Sequence, residues 1–131
     1  MEKSKCILIV DDDPSVRMVL RKRLEDRSFR VFEAEEGSSG LALAKRKRPD
    51  LILLDIVMPG EDGTQTYRAL KEDPDTKAIP IVFLSALAQG MTQAQKDGMG
   101  GQYVVLGKSY SLDELLRTVQ QALGETFEGT P

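Results

Sequence analysis

The chain has 131 residues, 40% apolar and 30% charged, with one cysteine, no tryptophan and no histidine. Its 18 basic against 21 acidic residues leave a net charge of −3, which argues against nucleic acid as the main partner, and one cysteine excludes an internal disulfide framework or a cysteine-rich metal site. No apolar run approaches the roughly 20 residues of a membrane span, and the opening does not read as a signal segment, so a single cytoplasmic domain is expected, with no membrane partner.

The first apolar run, Cys6-Ile7-Leu8-Ile9-Val10, predicts a strand over 6–10, with Cys6 as a small core residue. It runs directly into Asp11-Asp12-Asp13-Pro14. Asp13 is placed to cap a helix over about 14–27, with Pro14 at the first helical position, where a missing N–H costs nothing. Val16, Val19, Leu20 and Leu24 recur along it at helical spacing, against a polar face of Arg17, Arg21, Lys22 and Arg23.

A second strand is expected over 30–34 and a helix over 37–48, whose closing Lys45-Arg46-Lys47-Arg48 reads as a solvated end complementing the helix dipole. The run Leu51-Ile52-Leu53-Leu54 predicts a strand over 51–55 that ends on Asp55. A helix over about 64–72, a strand over 80–85 ending on Ser85, a helix over 91–98 and a strand over 102–107 leading to Lys108 follow. A last helix over 111–123 carries Leu112, Leu115, Leu116, Val119 and Leu123 on one face, with Gly124 placed to end it. Residues 1–124 are expected to form the domain, and 125–131 a polar tail or the start of a linker.

Short branched apolar runs alternating with amphipathic segments argue for a parallel sheet covered by helices on both faces. In such a sheet, function gathers beyond the carboxyl ends of the strands. That edge collects Asp11 and Asp12, Asp55, Ser85 and Lys108. Carboxylates brought together there repel one another unless a hard, oxygen-preferring cation neutralises them, and Mg²⁺ is the natural candidate. An acidic residue after an apolar strand is by itself an ordinary polar stop; two such strand exits meeting on one edge are not. Three carboxylates, a hydroxyl and an amine are suited to holding a phosphoryl group, and the absence of histidine removes most general-base schemes.

These motifs resemble, over nearly the whole chain, the receiver domain of two-component response regulators. The resemblance is carried by Ile7–Pro14, by Pro49-Asp50 through Asp55 to Pro59-Gly60-Glu61-Asp62-Gly63, by Pro80 to Ala86, and by Lys108 to Leu116. It implies a flavodoxin-like, doubly wound (βα)5 sandwich with a five-stranded parallel sheet in the order 2-1-3-4-5. It further implies that Asp55 takes a phosphoryl group from a sensor histidine kinase or a histidine phosphotransfer protein. Asp12 and Asp55 would bind Mg²⁺ directly, Asp11 mainly through a water, and Val57 through its backbone carbonyl. Ser85 and Lys108 would contact the phosphoryl oxygens. The implied protein is a switch that passes its state to an output domain or effector, or to a phosphorylation-dependent homodimer. It is not an enzyme beyond Mg²⁺-dependent self-phosphorylation and self-dephosphorylation.

The sequence departs from the family after Lys108, where Ser109 replaces the usual proline and Tyr110 fills the aromatic position, and Tyr103 becomes the candidate aromatic switch. Gly107-Lys108-Ser109 is no phosphate-binding loop, because Gln102 stands where that motif requires glycine. Two alternatives remain at this stage. Asp11-Asp12-Asp13-Pro14 is similar to the opening of haloacid-dehalogenase-type phosphatases, which would make Asp11 the nucleophile, and a degenerate receiver could act solely as a protein-binding module.

The resemblance also places Val57 and Leu87 beside the approach of a hydrolytic water to Asp55, and neither side chain can orient one. Self-dephosphorylation is therefore expected to be slow. Val57→Asn combined with Leu87→Glu is expected to shorten the phosphoryl lifetime in a decay assay after donor removal, and an equal or longer lifetime would refute the role of the two positions.

Overall fold

The structure, a computed structural model, describes residues 4–58, 61–85, 104–107 and 110–124. The expected helix over 91–98, Leu87, Tyr103, Lys108, Ser109 and the tail from 125 lie outside these residues. The elements in chain order are β1 (Cys6–Val10), α1 (Pro14–Glu25), β2 (Arg30–Ala34), α2 (Gly37–Lys47), β3 (Leu51–Asp55), β4 (Val57–Met58), β5 (Glu61–Asp62), α3 (Gly63–Glu72), β6 (Ile81–Ser85), β7 (Val104–Gly107) and, for the last helix, α4 (Leu112–Ala122).

The five long strands form one parallel sheet in the order β2-β1-β3-β6-β7. Counting only these strands, the order is 2-1-3-4-5, as the resemblance implied. Alternation along the strands splits the core in two. Ile7, Ile9, Leu51, Leu53, Val82 and Leu84 face Leu20 and Leu24 of α1 and Leu115 and Val119 of α4. Leu8, Val10, Ile52, Leu54 and Phe83 face Ala44 of α2 and Leu70 of α3. Both faces of β1 and β3 are covered, which is why these strands read as unbroken apolar runs. Each fully buried leucine contributes roughly 1.5–3 kcal/mol relative to leaving it exposed. Among the described residues, no helix is long and apolar enough to cross a membrane.

The sequence-based expectations for α1 need two corrections. Leu20 and Leu24 are buried, but Val19 is 43% exposed, because α1 turns only a narrow stripe to the sheet. The helix also stops earlier than expected. Ser28 adopts a left-handed backbone (φ 72°), its N–H donates to the Glu25 carbonyl, and the Phe29 N–H donates to the Leu24 carbonyl. This is a Schellman closure built without glycine, and Phe29 beyond it packs against the core that holds Leu24.

The basic end of α2 is not simply solvated. Arg48 takes a left-handed conformation (φ 48°) just ahead of Pro49, Lys45 pairs with Asp73 at 3.1 Å, and Arg48 with Asp75 at 3.2 Å. Lys47 lies 5.2 Å from the centroid of the Phe32 ring. Cys6 is half-buried rather than a core residue, since it opens an edge of β1; burial pushes its thiol up, and its N–H donates to Asp50 Oδ2 at 2.7 Å. The last helix follows expectation closely. Ser111 and Glu114 form a capping box, and Gly124 closes the helix with a left-handed backbone (φ 76°).

A left-handed backbone is unfavourable for a residue with a Cβ and free of that cost for glycine. Ser28→Gly relieves a left-handed cost of roughly 1–2 kcal/mol and adds an entropic cost of roughly 0.5–1 kcal/mol, so a net stabilisation of up to about 1 kcal/mol is expected, read as a raised melting temperature. A lower melting temperature would contradict the strained closure of α1.

Candidate functional site

In parallel register, Val10 of β1 lies opposite Leu54 of β3, so the next residues along each strand, Asp11 and Asp55, emerge side by side at the carboxyl edge. Both continue the strand positions that pack toward α1 and α4. The two strands flank the point where the strand order reverses, since the chain leaves β1 toward β2 and returns on the other side as β3. Asp11 is fully buried, Asp55 is 3% exposed, and Asp12 is half-buried. Each offers one oxygen such that all three oxygens lie within 4.8 Å of one another.

Local structure holds each of these residues in place. The Asp11 N–H donates to the Ala34 carbonyl of β2 at 3.1 Å, and its Oδ1 accepts the Asp13 N–H at 2.9 Å. Asp13 turns away from the cluster and caps α1, accepting from the Ser15 N–H at 2.9 Å and the Ser15 hydroxyl at 2.7 Å. It is structural, as its place before Pro14 implied. After Asp55, the Ile56 N–H donates to the Leu84 carbonyl of β6 at 3.0 Å, and the Gly63 N–H donates to the Ile56 carbonyl at 2.7 Å. Between them the chain makes a small antiparallel pair in which Val57 lies opposite Asp62 and Met58 opposite Glu61. Two-residue strands are too short to show in the sequence pattern, although Pro59-Gly60 between them is a strong turn signal.

Gly63 is a further residue of the site, one whose role is not visible in the sequence. A Cβ there would overlap the Asp55 carbonyl oxygen and come within 2.9 Å of the Ile56 Cα. Only glycine lets α3 begin this close to the strand that presents Asp55. Ser85 ends β6 opposite Gly107 of β7, and Val57 opens β4, so both fall on the same edge; Lys108 and Tyr103 lie outside the described residues.

The donor set fits a hard cation. Oxygens at about 2.1 Å from Mg²⁺ stand about 3 Å apart when adjacent and about 4.2 Å apart when opposite. Three carboxylate oxygens within 4.8 Å are close to that spread, with room for one to act through a water. Nitrogen and sulfur ligands play no part among the three.

A parallel doubly wound sheet with an acidic triad at its switch point fits a phosphoacceptor-type signalling domain. The model of the response regulator receiver domain family matches residues 7–120, and the chain belongs to that family. It is 38% identical over 117 residues to the protein PilH of Pseudomonas aeruginosa, covering 89% of this chain and 96% of PilH. It is 36% identical to the DNA-binding dual master transcriptional regulator RpaA of Synechocystis, over 92% of this chain but only 49% of RpaA.

Among solved structures, it is similar to the receiver domain of the sensor histidine kinase PA1611 of Pseudomonas aeruginosa, described with a magnesium ion coordinated in its active site cleft. That similarity has a TM-score of 0.81 at 28% identity and covers 93% of this chain and 99% of the other. The chemotaxis protein CheY4 of Vibrio cholerae matches with a TM-score of 0.81 at 28% identity, covering 91% of this chain and 98% of CheY4. The chain is a receiver domain of the two-component class, and neither the phosphatase reading nor the degenerate module is favoured by these matches.

Gly63→Ala is expected to push α3 away from the Asp55 peptide and to destabilise the protein by roughly 1–3 kcal/mol, as overpacking does. A thermal melt with and without Mg²⁺ checks it. Wild-type stability and an unchanged Mg²⁺ response in this variant would show that the close approach at Gly63 does not matter.

Proposed function

We propose that Asp55 is the phosphoacceptor and that Asp11 and Asp12 complete, with Asp55, a Mg²⁺ site. The observation that carries this reading is the placement of the Asp55 carboxylate, almost fully buried at the end of β3, with oxygens of Asp11 and Asp12 within 4.8 Å. The magnesium ion described in the PA1611 receiver supports the choice of metal. A carboxylate oxygen of Asp55 attacks the phosphorus of a phosphohistidine; the O–P bond forms as the P–N bond breaks, and the imidazole leaves. When bound, Mg²⁺ supplies charge neutralisation between the carboxylates and the incoming phosphoryl oxygens. Asp12 and Asp55 would hold the cation directly and Asp11 mainly through a water, and the Val57 carbonyl, at the start of β4, would add a neutral oxygen ligand.

In the same reading Ser85 at the end of β6 and Lys108, which follows Gly107 of β7, take the remaining phosphoryl oxygens, and Ser85 with Tyr103 relays the change. The supports are the strand-end position of Ser85, the register of β6 with β7, and the family motifs. The donor is a sensor histidine kinase or a histidine phosphotransfer protein, and the setting is the cytoplasm. The protein works as a switch rather than as an enzyme with its own substrate. Residues 1–124 form the receiver unit, in keeping with the family match over 7–120. The chain spans nearly all of PilH and about half of RpaA, so its output is either a separate effector or a domain joined beyond the receiver.

Incubation with a small acyl phosphate and Mg²⁺ is expected to add one phosphoryl group, seen as a single adduct by intact mass. The adduct should be absent in Asp55→Asn and after Mg²⁺ chelation. An adduct that persists in Asp55→Asn and disappears in Asp11→Asn would replace this reading with the phosphatase-like one.

A further inference from the structure

Arg17 occupies the first turns of α1, on the polar face that the sequence marks as solvated. Its side chain is nevertheless only 15% exposed. Nη1 donates to the backbone carbonyl of Asp11 at 2.7 Å, while Nε donates to Glu33 Oε1 at 2.9 Å. The other oxygen of Glu33 accepts from Arg21 Nη1 at 2.7 Å, so both carboxylate oxygens are engaged by guanidinium groups. Burial pushes the Glu33 carboxyl up, but the hydrogen bonds and charges of Arg21 and Arg17 outweigh it and hold it below the usual carboxylate range.

The clamp closes on the peptide that leaves β1. Glu33 precedes Ala34, whose carbonyl takes the Asp11 N–H. The Arg17 N–H in turn donates to the Asp13 carbonyl at 3.1 Å. The Asp11 N–H is thus tied to β2, its carbonyl to Arg17, and its Oδ1 to the Asp13 N–H. Rotation of the peptide between Asp11 and Asp12 would re-aim Asp12 relative to Asp11 and Asp55, and the Arg17 bond to the Asp11 carbonyl opposes that rotation. The Glu33 charge offsets that of Arg17, so the contribution is one of geometry more than of added positive potential. A fork with two separately directed N–H groups is required, which lysine cannot supply.

We propose that Arg17, held by Glu33, is a positioning residue for the Mg²⁺ site: it fixes the Asp11–Asp12 peptide so that the two carboxylates meet that of Asp55. The proposal rests on the acidic cluster being the Mg²⁺ site. Removal of groups that orient metal ligands typically weakens metal binding by 10–100-fold.

The test is isothermal titration of Mg²⁺ into the intact chain, with a thermal melt of each variant alongside. Arg17→Gln is expected to raise the Mg²⁺ dissociation constant on the order of tenfold, Arg17→Lys to raise it about as much, and Glu33→Gln to raise it less. The double variant Arg17→Gln, Glu33→Gln should bind Mg²⁺ no more weakly than Arg17→Gln alone, since the two residues act through one contact. A lowered melting temperature with wild-type Mg²⁺ affinity would reduce Arg17 to a structural role and overturn the proposal. Full affinity in Arg17→Lys would assign the effect to charge and overturn it equally. If Arg17→Gln fails to fold, Arg17→Lys decides by the same two readings, weakened Mg²⁺ affinity supporting the proposal and wild-type affinity overturning it. A wild type that binds no Mg²⁺ overturns the metal-site reading itself, an outcome distinct from unequal variants on a binding-competent wild type.

Discussion

Three carboxylates held within 4.8 Å repel one another, and the rest of the molecule can be understood as the framework that keeps them there. The force that does so is apolar. β1 and β3 are buried on both faces, with Ile7, Ile9, Leu51 and Leu53 against α1 and α4, and Leu8, Val10, Ile52 and Leu54 against α2 and α3. A shift of one residue would exchange the side chains of the two core layers and draw a carboxylate into one of them, which opposes slippage of the register. The pairing of Val10 with Leu54 therefore decides that Asp11 and Asp55 leave the sheet together.

Around that edge, each connection is shortened or pinned so that the carboxylates have little freedom. Asp13 caps α1 and gives its N–H to Asp11, Gly63 lets α3 start against the Asp55 peptide, and the Arg17–Glu33 pair holds the Asp11 carbonyl. A cation entering such a site meets ligands that are already oriented, so less ordering has to accompany binding.

The far edge of the sheet is built to a different standard. The loop after α3 is tied down locally, with Lys71 Nζ donating to the carbonyls of Lys77 at 3.2 Å and Ile79 at 3.0 Å, and the buried Thr76 hydroxyl donating to the Leu70 carbonyl at 2.6 Å. Lys45 of α2 and Arg48, which caps it, pair with Asp73 and Asp75 in that loop. These exposed pairs each contribute little, typically under about 1 kcal/mol. They join α2 to the loop that leads into β6, whose last residue is Ser85. The basic run that reads in the sequence as a solvated helix end is thus part of the α2–α3 layer.

What the sequence determined by itself was whatever depends on near neighbours along the chain. The apolar runs ending on Val10, Leu54 and Leu84 located the strands, Asp13-Pro14 and Ser111 with Glu114 located helix starts, and two acidic strand exits pointed to one edge of the sheet. Tertiary structure decided what depends on residues far apart. Val19 is exposed because the sheet covers only part of α1, a matter of helix placement that periodicity does not contain. Ser28 and Arg48 take left-handed turns because Phe29 must fold back on the core and Pro49 must lead into β3, so a composition rule that looks for glycine passes over both. Arg17 reads as one cation among several on a polar face. Its partners are Glu33 of β2 and the Asp11 carbonyl just beyond β1, and only the pairing of those two strands side by side brings both within reach of one arginine.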